Sequence, residues 1–295
     1  MALGFYSQAI HPTSVQKMKF ILKIPITLLF SFGLSALFAQ TNLHVVSKTI
    51  EKRMPYKNGY EVNIEGEKAE IKVETWDNNE VKVFIEIIAK HADKKKAEKD
   101  LDLMEYSNEQ HGSDIYFRNY ISKKGPQPES ELKAIYTITL PADCPVYLKN
   151  NFGLTDVSNL TNSLKIHSEF SKILLENLRG DIGVISRFGD ITGRKIDGNV
   201  SFTTRRSDIT LHDIKGNWNI NAQYGVMKFF TNPSPELLTM NINAEKSDVY
   251  FFDPQPNHYG YTLTAHYGNI SVPNDLKFNY LENSNELKKQ FFPRK

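Results

Sequence analysis

Apolar and polar residues alternate along the second half of the chain in short segments that are separated by turn-forming residues. Ile220, Ala222 and Tyr224 alternate with polar neighbours before one turn, and Met227 and Phe229 do so after it. Period-two alternation is typical of a strand that buries one face, whereas an amphipathic helix needs apolar residues three and four apart. Each segment is therefore predicted to contain two short strands and two tight turns.

These segments recur every eighteen residues, and small residues at the first turn mark the period. They stand eighteen apart and then 22 and 21 apart: Gly153, Ser171, Gly189, Ser207, Gly225, Ser247 and Gly268. Turn-forming residues at the second turn of each segment are also eighteen apart: Asn162, Gly180, Gly198 and Gly216. We expect glycine in the turns because it reaches positive φ without steric cost.

A fixed period near twenty residues predicts a solenoid in which each coil pairs in parallel with its neighbours. The fold class is therefore mainly β, with about seven coils of ~18 residues over residues 146–272, wound right-handed as parallel crossovers usually are. Small residues recur at one inward position, where the two sheets are expected to be closest: Ser168, Ser186, Thr204, Ala222, Ala244 and Ala265. An aromatic residue often precedes the turn: Phe152, Phe170, Phe188, Tyr224 and Tyr267.

Residues 40–145 differ from the repeats and are predicted to form an antiparallel β region with one helix that caps the solenoid. Ile71–Thr75 and Val81–Ile87 alternate on either side of Asp77-Asn78-Asn79, which is a hairpin pattern. Lys90–Met104 has apolar residues at helical spacing. A cap is expected because an uncovered strand edge invites aggregation.

The two ends of the chain lack the repeat. Basic residues, an apolar run over residues 24–38 and Ala39 predict a signal peptide over residues 1–39, with the natural start at Met18. The alternative is a membrane anchor, but a run of about fifteen residues is short for a span of roughly twenty. The mature chain is therefore expected to have no transmembrane segment and to be exported to the periplasm or cell surface. Residues 273–295 are a C-terminal tail or a second cap.

Composition narrows the possible partners. Removal of residues 1–39 takes away three lysines and no acid, so the formal net charge changes from +2 to −1. This disfavours nucleic acid as a partner, because such binding depends on basic charge. The single cysteine, Cys144, excludes an intrachain disulfide. It stands between Pro141 and Pro145 with no activating neighbour, and we expect it to pack in the core.

Several motifs resemble a known bacterial family. Three turns share one pattern: Phe188-Gly189-Asp190-Ile191, Arg206-Ser207-Asp208-Ile209 and Lys246-Ser247-Asp248-Val249. Two further motifs, Ile196-Asp197-Gly198-Asn199 and Ile214-Lys215-Gly216-Asn217, fall between them, and Thr137–Pro141 leads into the first coil. Together they resemble the exported "putative adhesin" family with G-D-I β-strand repeats, which is similar to the head GIN domain proteins. The resemblance covers roughly residues 45–272 and implies a parallel β-solenoid, with no catalytic residues to carry over.

No catalytic, cofactor or metal site is predicted. Asp190 and Asp208 would stack one coil apart, which permits a carboxylate pair for glycoside cleavage. Aspartate in such a turn has a structural role, however, because it accepts hydrogen bonds from turn amides. A calcium site lacks the dense Gly-Asp pattern of calcium-binding β-rolls. His212, His258 and His266 lack metal-ligand spacing, and no nucleotide-binding motif occurs.

Two groups of outward residues are candidates for a ligand surface. Phe230, Tyr250, Phe252 and Tyr259 stand on or after the late coils where polar residues would be expected, and exposed aromatics mark binding surfaces. The alternative is that long loops or the C-terminal tail cover them. Glu169, Arg187, Arg205 and Gln223 form an outward column eighteen residues apart. Arg187 and Arg205 could contact an anionic or saccharide ligand, or this face could simply be solvated with weak ion pairs.

The sequence therefore favours an exported, non-enzymatic β-solenoid that acts as an adhesin-like binding or scaffold module of the cell envelope. Its ligand would be a polysaccharide or an envelope protein, and it would need no cofactor. One alternative is a carbohydrate-active enzyme on the same fold. Another is an envelope sensor that works with a membrane partner.

Overall fold

The computed structural model describes residues 42–122, 125–232, 236–253, 255, 258–266, 269–272, 279–283 and 286–291. The signal peptide predicted over residues 1–39 lies outside the described residues. The N-terminal elements are β1 (His44–Pro55), β2 (Glu61–Glu67), β3 (Ala69–Trp76), β4 (Glu80–His91), α1 (Lys94–Leu101), β5 (Met104–His111), β6 (Asp114–Ile121) and β7 (Glu131–Pro141). The repeats hold β8 (Val146–Asn151), β9 (Leu154–Ser158), β10 (Leu164–Glu169), β11 (Lys172–Arg187), β12 (Ile191–Arg205), β13 (Ile209–Gln223), β14 (Val226–Phe230), β15 (Leu237–Glu245) and β16 (Asp248–Phe252). After them come β17 (Tyr261–His266), β18 (Asn279–Asn283) and β19 (Glu286–Phe291).

The repeats form a parallel β-solenoid with two strand faces. The first face contains β8, β10, the second parts of β11, β12 and β13, and β15. The second face contains β9, the first parts of β11, β12 and β13, and then β14 and β16. The predicted parallel solenoid is therefore confirmed.

Equivalent positions of successive coils pair in register. Ile173, Ile191 and Ile209 are neighbours on adjacent strands, and all three are buried. A slip of one residue would turn every buried side chain outward, so this apolar column fixes the register. Inside the coils, Phe202 and Trp218 pack edge to face with ring centroids 5.6 Å apart.

The described solenoid has about six coils rather than the seven predicted. The expected seventh coil began near Leu263 and Ala265, but these residues belong to β17, which pairs antiparallel with β19 in a separate three-stranded sheet. Alternation of apolar residues indicates that a strand buries one face. It does not indicate which strand will be its partner, and this is why the pattern overstated the length of the solenoid.

Glycine has different reasons to occupy the two turns. At the first turn, positive φ falls on the residue before the small one: Phe152, Phe170, Phe188, Arg206, Tyr224 and Lys246. The expectation that the small residue itself supplies positive φ is wrong. Gly189 is instead required by a close approach, because a Cβ there would lie 2.0 Å from the carbonyl oxygen of Ser171. At the second turn Gly180, Gly198 and Gly216 do have positive φ, as expected.

Glycine alternates with serine at the first turn because the glycine of one coil and the serine of the next coil form a hydrogen bond. The backbone N–H of Gly153 donates to Oγ of Ser171 one coil later, at 2.9 Å, and Gly189 donates to Ser207 at 3.3 Å. Each glycine lets the neighbouring backbone approach closely, and each serine provides the acceptor that the glycine amide needs.

The N-terminal region extends the solenoid with strands taken out of chain order. β2 and β3 pair in parallel with β8 and β9, and on their other side they pair in parallel with β6 and β7. The coil made by β2 and β3 therefore lies between two coils that come later in the chain. The predicted hairpin of β3 with β4 is wrong, because β7 lies between these strands and pairs with both.

Antiparallel strands and the helix extend from the coil made by β6 and β7. β4 pairs with β7, β1 pairs with β4, and β5 pairs with β6, all antiparallel. The helix α1 contacts β1 and β4. It is shorter than the predicted Lys90–Met104, because β4 continues to His91 and β5 already begins at Met104. Asp93 caps it by accepting the Lys95 N–H at 2.8 Å. No helix in the described part of the chain is long and apolar enough to cross a membrane.

Candidate ligand-binding surfaces

The turn aspartates hold adjacent coils together. The backbone N–H of Asp208 donates to Oδ1 of Asp190 at 3.3 Å, and that of Val226 donates to Oδ1 of Asp208 at 2.8 Å. Both carboxylates therefore accept a hydrogen bond from an amide of the next coil, which is the structural role that the turn position favours. Among the described residues, no group of three or more histidine, cysteine, aspartate or glutamate side chains could hold a metal ion.

Cys144 is fully buried in the core at the start of the repeats. Burial raises the pKa of its thiol to about 12. A thiol becomes a good nucleophile or metal ligand only as the thiolate, so this environment suppresses both roles. The structure places Cys144 where the sequence predicted it, in apolar packing.

Arg187 and Arg205 lie in one outward column on the first face. They are neighbours on adjacent strands, with Glu169 before them and Gln223 and Glu245 after them. One Nη atom of Arg187 is 3.5 Å from a carboxylate oxygen of Glu169, and both side chains are about half exposed. Such a pair contributes about 0–1 kcal/mol to stability, so the column has no strong structural purpose.

Aromatic side chains of the late coils form a stacked column on the second face. The ring centroids of His212 and Phe230 are 4.5 Å apart, and those of Phe230 and Phe252 are 4.7 Å apart, with interplanar angles of 5° and 8°. Tyr250 lies beside Phe252, with a centroid distance of 6.4 Å and an angle of 11°. Phe230 covers one face of the Phe252 ring, so the opposite face points along the solenoid axis away from Phe230.

Tyr250 and Phe252 thus form a nearly parallel pair, here called the aromatic platform, at the end of this column. Each is 47% exposed. Tyr259 is different, because it is partly buried against the core and makes an edge contact with Tyr261 at 6.5 Å. The Tyr261 hydroxyl donates to Oδ2 of Asp253 at 2.8 Å, and burial raises its pKa.

The predicted ligand residues therefore divide into two groups. Phe230, Tyr250 and Phe252 contact one another on the second face, whereas Arg187 and Arg205 lie on the first face, before the turn. A single small ligand is not expected to touch both groups. The aromatic group is the better candidate, because Tyr250 and Phe252 expose apolar ring surface, whereas Arg187 is already paired with Glu169.

The aromatic residues that precede the turn form a second stack, whose function the sequence did not suggest. Phe152, Phe170 and Phe188 are stacked at 5.0 Å and 4.7 Å with interplanar angles of 2°, and the Arg206 guanidinium lies 5.4 Å from the Phe188 centroid. Although these rings are exposed, Phe170 lies between Phe152 and Phe188 and is covered on both faces. We interpret the stack as a ladder that stabilises the strained turns.

The outward side of the last three coils on the first face is a grid of uncharged polar residues, which sequence reasoning missed. It is called here the amide-hydroxyl face, and its members are all exposed: Asn199, Ser201, Thr203, Asn217, Asn219, Asn221, Thr239, Asn241 and Asn243. A shallow depression of about 290 Å³ lies over part of it. The eighteen-residue spacing could have revealed the first two rows. The third row is 22 residues further on, because Gly216 pairs with Leu237, already 21 residues later, and the exposed Leu238 is one extra residue in β15.

Comparisons with known proteins show limited similarity. No family model and no curated protein matches the chain. Among solved structures, a "putative cell adhesion protein" from Clostridium sporogenes is 14% identical, with a TM-score of 0.33, and the match covers 70% of this chain and 100% of that one. A "putative adhesin" from Bacteroides fragilis is 12% identical with a TM-score of 0.36 over 70% and 97% of the two chains. Another from Parabacteroides merdae is 12% identical with a TM-score of 0.32 over 70% and 96%. Similarity at this level carries no argument about the function of this chain.

Proposed function

We propose that this protein is an exported, non-enzymatic binding or scaffold module of the bacterial cell envelope that uses its β-solenoid to present ligand-contacting side chains. The observation that supports this most directly is the aromatic platform of Tyr250 and Phe252. The export step rests on the apolar run at residues 24–38 and Ala39.

The platform is held in place before any ligand arrives. Phe252 stacks on Phe230 and Phe230 stacks on His212, so each ring restricts the rotation of the next. Strand backbones fix the spacing between the rings. Because less side-chain freedom is lost on binding, the entropic cost of association is smaller than for a mobile surface. Exposed ring faces suit the apolar face of a sugar or an apolar side chain of a protein.

The first test is to incubate the purified protein with envelope and extracellular polysaccharides and with solubilised envelope proteins. Retention of the protein and the appearance of new reducing ends are measured together. Tyr250→Ala and Phe252→Ala are expected to lower the affinity for the retained ligand about tenfold each, which corresponds to about 1.4 kcal/mol per lost ring contact.

Tyr120→Ala is the matched control, because Tyr120 is 43% exposed but lies on β6, away from the repeats. It should leave binding unchanged. Equal affinity in the wild type and both platform variants would contradict the assignment of this surface. New reducing ends would contradict the non-enzymatic role, and Asp190 and Asp208 would then be the first residues to mutate.

Export is tested separately. The N-terminal sequence of the protein recovered from its bacterial host is expected to begin at Gln40, after cleavage that follows Ala39. An intact N-terminus in the cytoplasmic fraction would contradict export. Co-purification of one membrane protein after crosslinking would instead favour the envelope-sensor alternative.

A further inference from the structure

We propose that the amide-hydroxyl face binds a neutral polysaccharide chain laid side-on across the last three coils. This inference deepens the proposed function and rests on it, since it names the ligand class and a contact surface distinct from the aromatic platform. It is carried by the chemistry of nine side chains and by their regular placement.

The nine positions form three rows of three. Asn199, Asn217 and Thr239 occupy one column, and each is in register with the next. The second column is Ser201, Asn219 and Asn241, and the third is Thr203, Asn221 and Asn243. Adjacent rows are one strand spacing apart, about 4.7–4.9 Å, and residues within a row are separated by two strand residues, about 6.6–6.8 Å.

The first column is internally bonded, and the other two are not. Nδ2 of Asn217 donates to Oδ1 of Asn199 at 3.2 Å, and Oγ1 of Thr239 donates to Oδ1 of Asn217 at 2.9 Å. Within the described part of the chain, the six side chains of the second and third columns have no hydrogen-bond partner. The face therefore presents one column of mutually bonded side chains beside six side chains whose hydrogen-bonding groups are available to a ligand.

The composition of the face selects the class of ligand. No member is ionisable, and the adjoining outward column of Arg205, Gln223 and Glu245 carries one positive and one negative charge. The face therefore has no net counter-charge for a phosphate, sulfate or carboxylate ligand, and nucleic acid needs such charge. No member is aromatic or aliphatic, so the face lacks the anchors that protein partners use. Asparagine, serine and threonine both donate and accept hydrogen bonds, as sugar hydroxyl and acetamido groups do. A neutral polysaccharide is complementary to the face in both respects.

The grid has clear limits along the solenoid. On the coil before Asn199, the equivalent positions are Asp181, Gly183 and Ile185, which bring a charge, a missing side chain and an apolar side chain. The neutral grid therefore spans three coils and not the whole face. A repeating polymer can meet equivalent groups in successive rows, whereas a single small sugar would use only a part of them.

The shape of the face favours an internal segment of a chain. The depression of about 290 Å³ is shallow and lies over Asn199, Ser201, Asn217, Asn219 and neighbouring positions. Beneath it Trp218 is buried, and its Nε1–H donates to the backbone oxygen of Lys215 at 2.8 Å. The buried Trp218 therefore gives the depression a packed base. Because the depression is shallow and open, it can contact a polymer from the side, whereas a closed pocket would enclose the end of a chain.

The test uses the purified full protein and affinity electrophoresis in gels that contain a soluble neutral glucan, a neutral mannan, or alginate as a carboxylated counterpart. Retardation by at least one neutral polysaccharide and not by alginate is expected. The double variant Asn219→Ala/Asn241→Ala should raise the dissociation constant at least tenfold. Thr192→Ala is the control, because Thr192 is an exposed, uncharged residue on the second face. It should bind as the wild type does.

Folding is checked by the urea midpoint of each variant, and Asn241→Ala alone replaces the double variant if the latter is less stable. Unchanged binding in these variants, with a loss in Tyr250→Ala, would overturn this inference and leave the proposed function in place. Retardation by alginate alone, or retention only by an envelope protein, would also overturn this inference while the proposed function stands. If neither a polysaccharide nor an envelope protein is bound, both the inference and the proposed function fail.

Discussion

Replacement of Gly189 by alanine should destabilise the solenoid through a single backbone contact. A Cβ at this position would lie 2.0 Å from the carbonyl oxygen of Ser171, and 2.8 Å and 3.0 Å from its carbonyl carbon and amide nitrogen. The backbone φ of Gly189 is not in the positive range, so alanine can adopt the local conformation. The whole effect is therefore expected to come from the close approach of two coils.

The neighbouring coil cannot retreat without breaking its own hydrogen bonds. The Phe170 N–H donates to the Arg187 oxygen and the Ile173 N–H to the Asp190 oxygen, both at 2.9 Å, on either side of the contact. Overpacking costs about 1–3 kcal/mol, and each weakened hydrogen bond adds about 0.5–1.5 kcal/mol. We therefore expect a loss of about 3–4 kcal/mol in the free energy of unfolding.

Urea unfolding followed by circular dichroism measures this loss. With a denaturant slope of about 3 kcal/mol per molar, the midpoint should fall by about 1 M. Gly183→Ala is the matched control in β11, the strand that leads into the turn of Gly189, because a Cβ at Gly183 meets no atom within 4 Å. It should leave stability unchanged or raise it by up to about 1 kcal/mol. Equal midpoints for the two variants would refute the close-approach explanation.

Three further predictions concern buried polar groups. Because burial raises the pKa of Cys144 to about 12, a thiol reagent at mildly alkaline pH should label the folded protein slowly and the urea-unfolded protein fully. Fast labelling of the folded state would contradict the buried position. Burial also raises the pKa of Asp156, with Lys72 opposing and Glu74 and Glu176 adding to the effect. The folded state then binds this proton more tightly than the unfolded state, so stability falls as pH rises through the carboxyl titration. Asp156→Asn should therefore raise the urea midpoint at pH 7, and the gain should vanish below the ordinary titration range of aspartate. Asn150 is buried, and its Nδ2 donates to the backbone oxygens of Ala69 and Leu154, both at 3.0 Å. Asn150→Asp should cost about 3–5 kcal/mol at pH 7, because it leaves a buried charge facing carbonyl oxygens. Exposed Asn221→Asp, as the control, should cost less than about 1 kcal/mol.

The region where the sequence and structure disagree most is the junction of the N-terminal strands with the repeats. β2 and β3 have the alternation of solenoid strands but not the eighteen-residue spacing, so their place between the coils of β6–β7 and β8–β9 could not be predicted. Asn150 fits against Gly66 at this junction, where a Cβ on Gly66 would lie 3.0 Å from Oδ1 of Asn150. Such a contact between residues far apart in the chain leaves no periodic signal.

The candidate surfaces follow a similar division. The aromatic residues of the late coils stand out in the sequence, because Tyr250 and Phe252 interrupt an otherwise polar outward pattern. The stacking that makes them a platform depends on the register with Phe230 and His212. The amide-hydroxyl face is harder to see, because its third row is in register only after the extra residue at Leu238.

The sequence by itself determined the coil, its period and the columns of side chains that it produces. This is because in-register parallel strands joined by similar turns must repeat at a constant spacing, and a slip of register would expose the core. Only the tertiary structure decided which strands extend the solenoid, where it ends, and why glycine occupies the first turn. Those features depend on contacts between distant segments, and local alternation of apolar and polar residues specifies a buried face without specifying the strand that covers it.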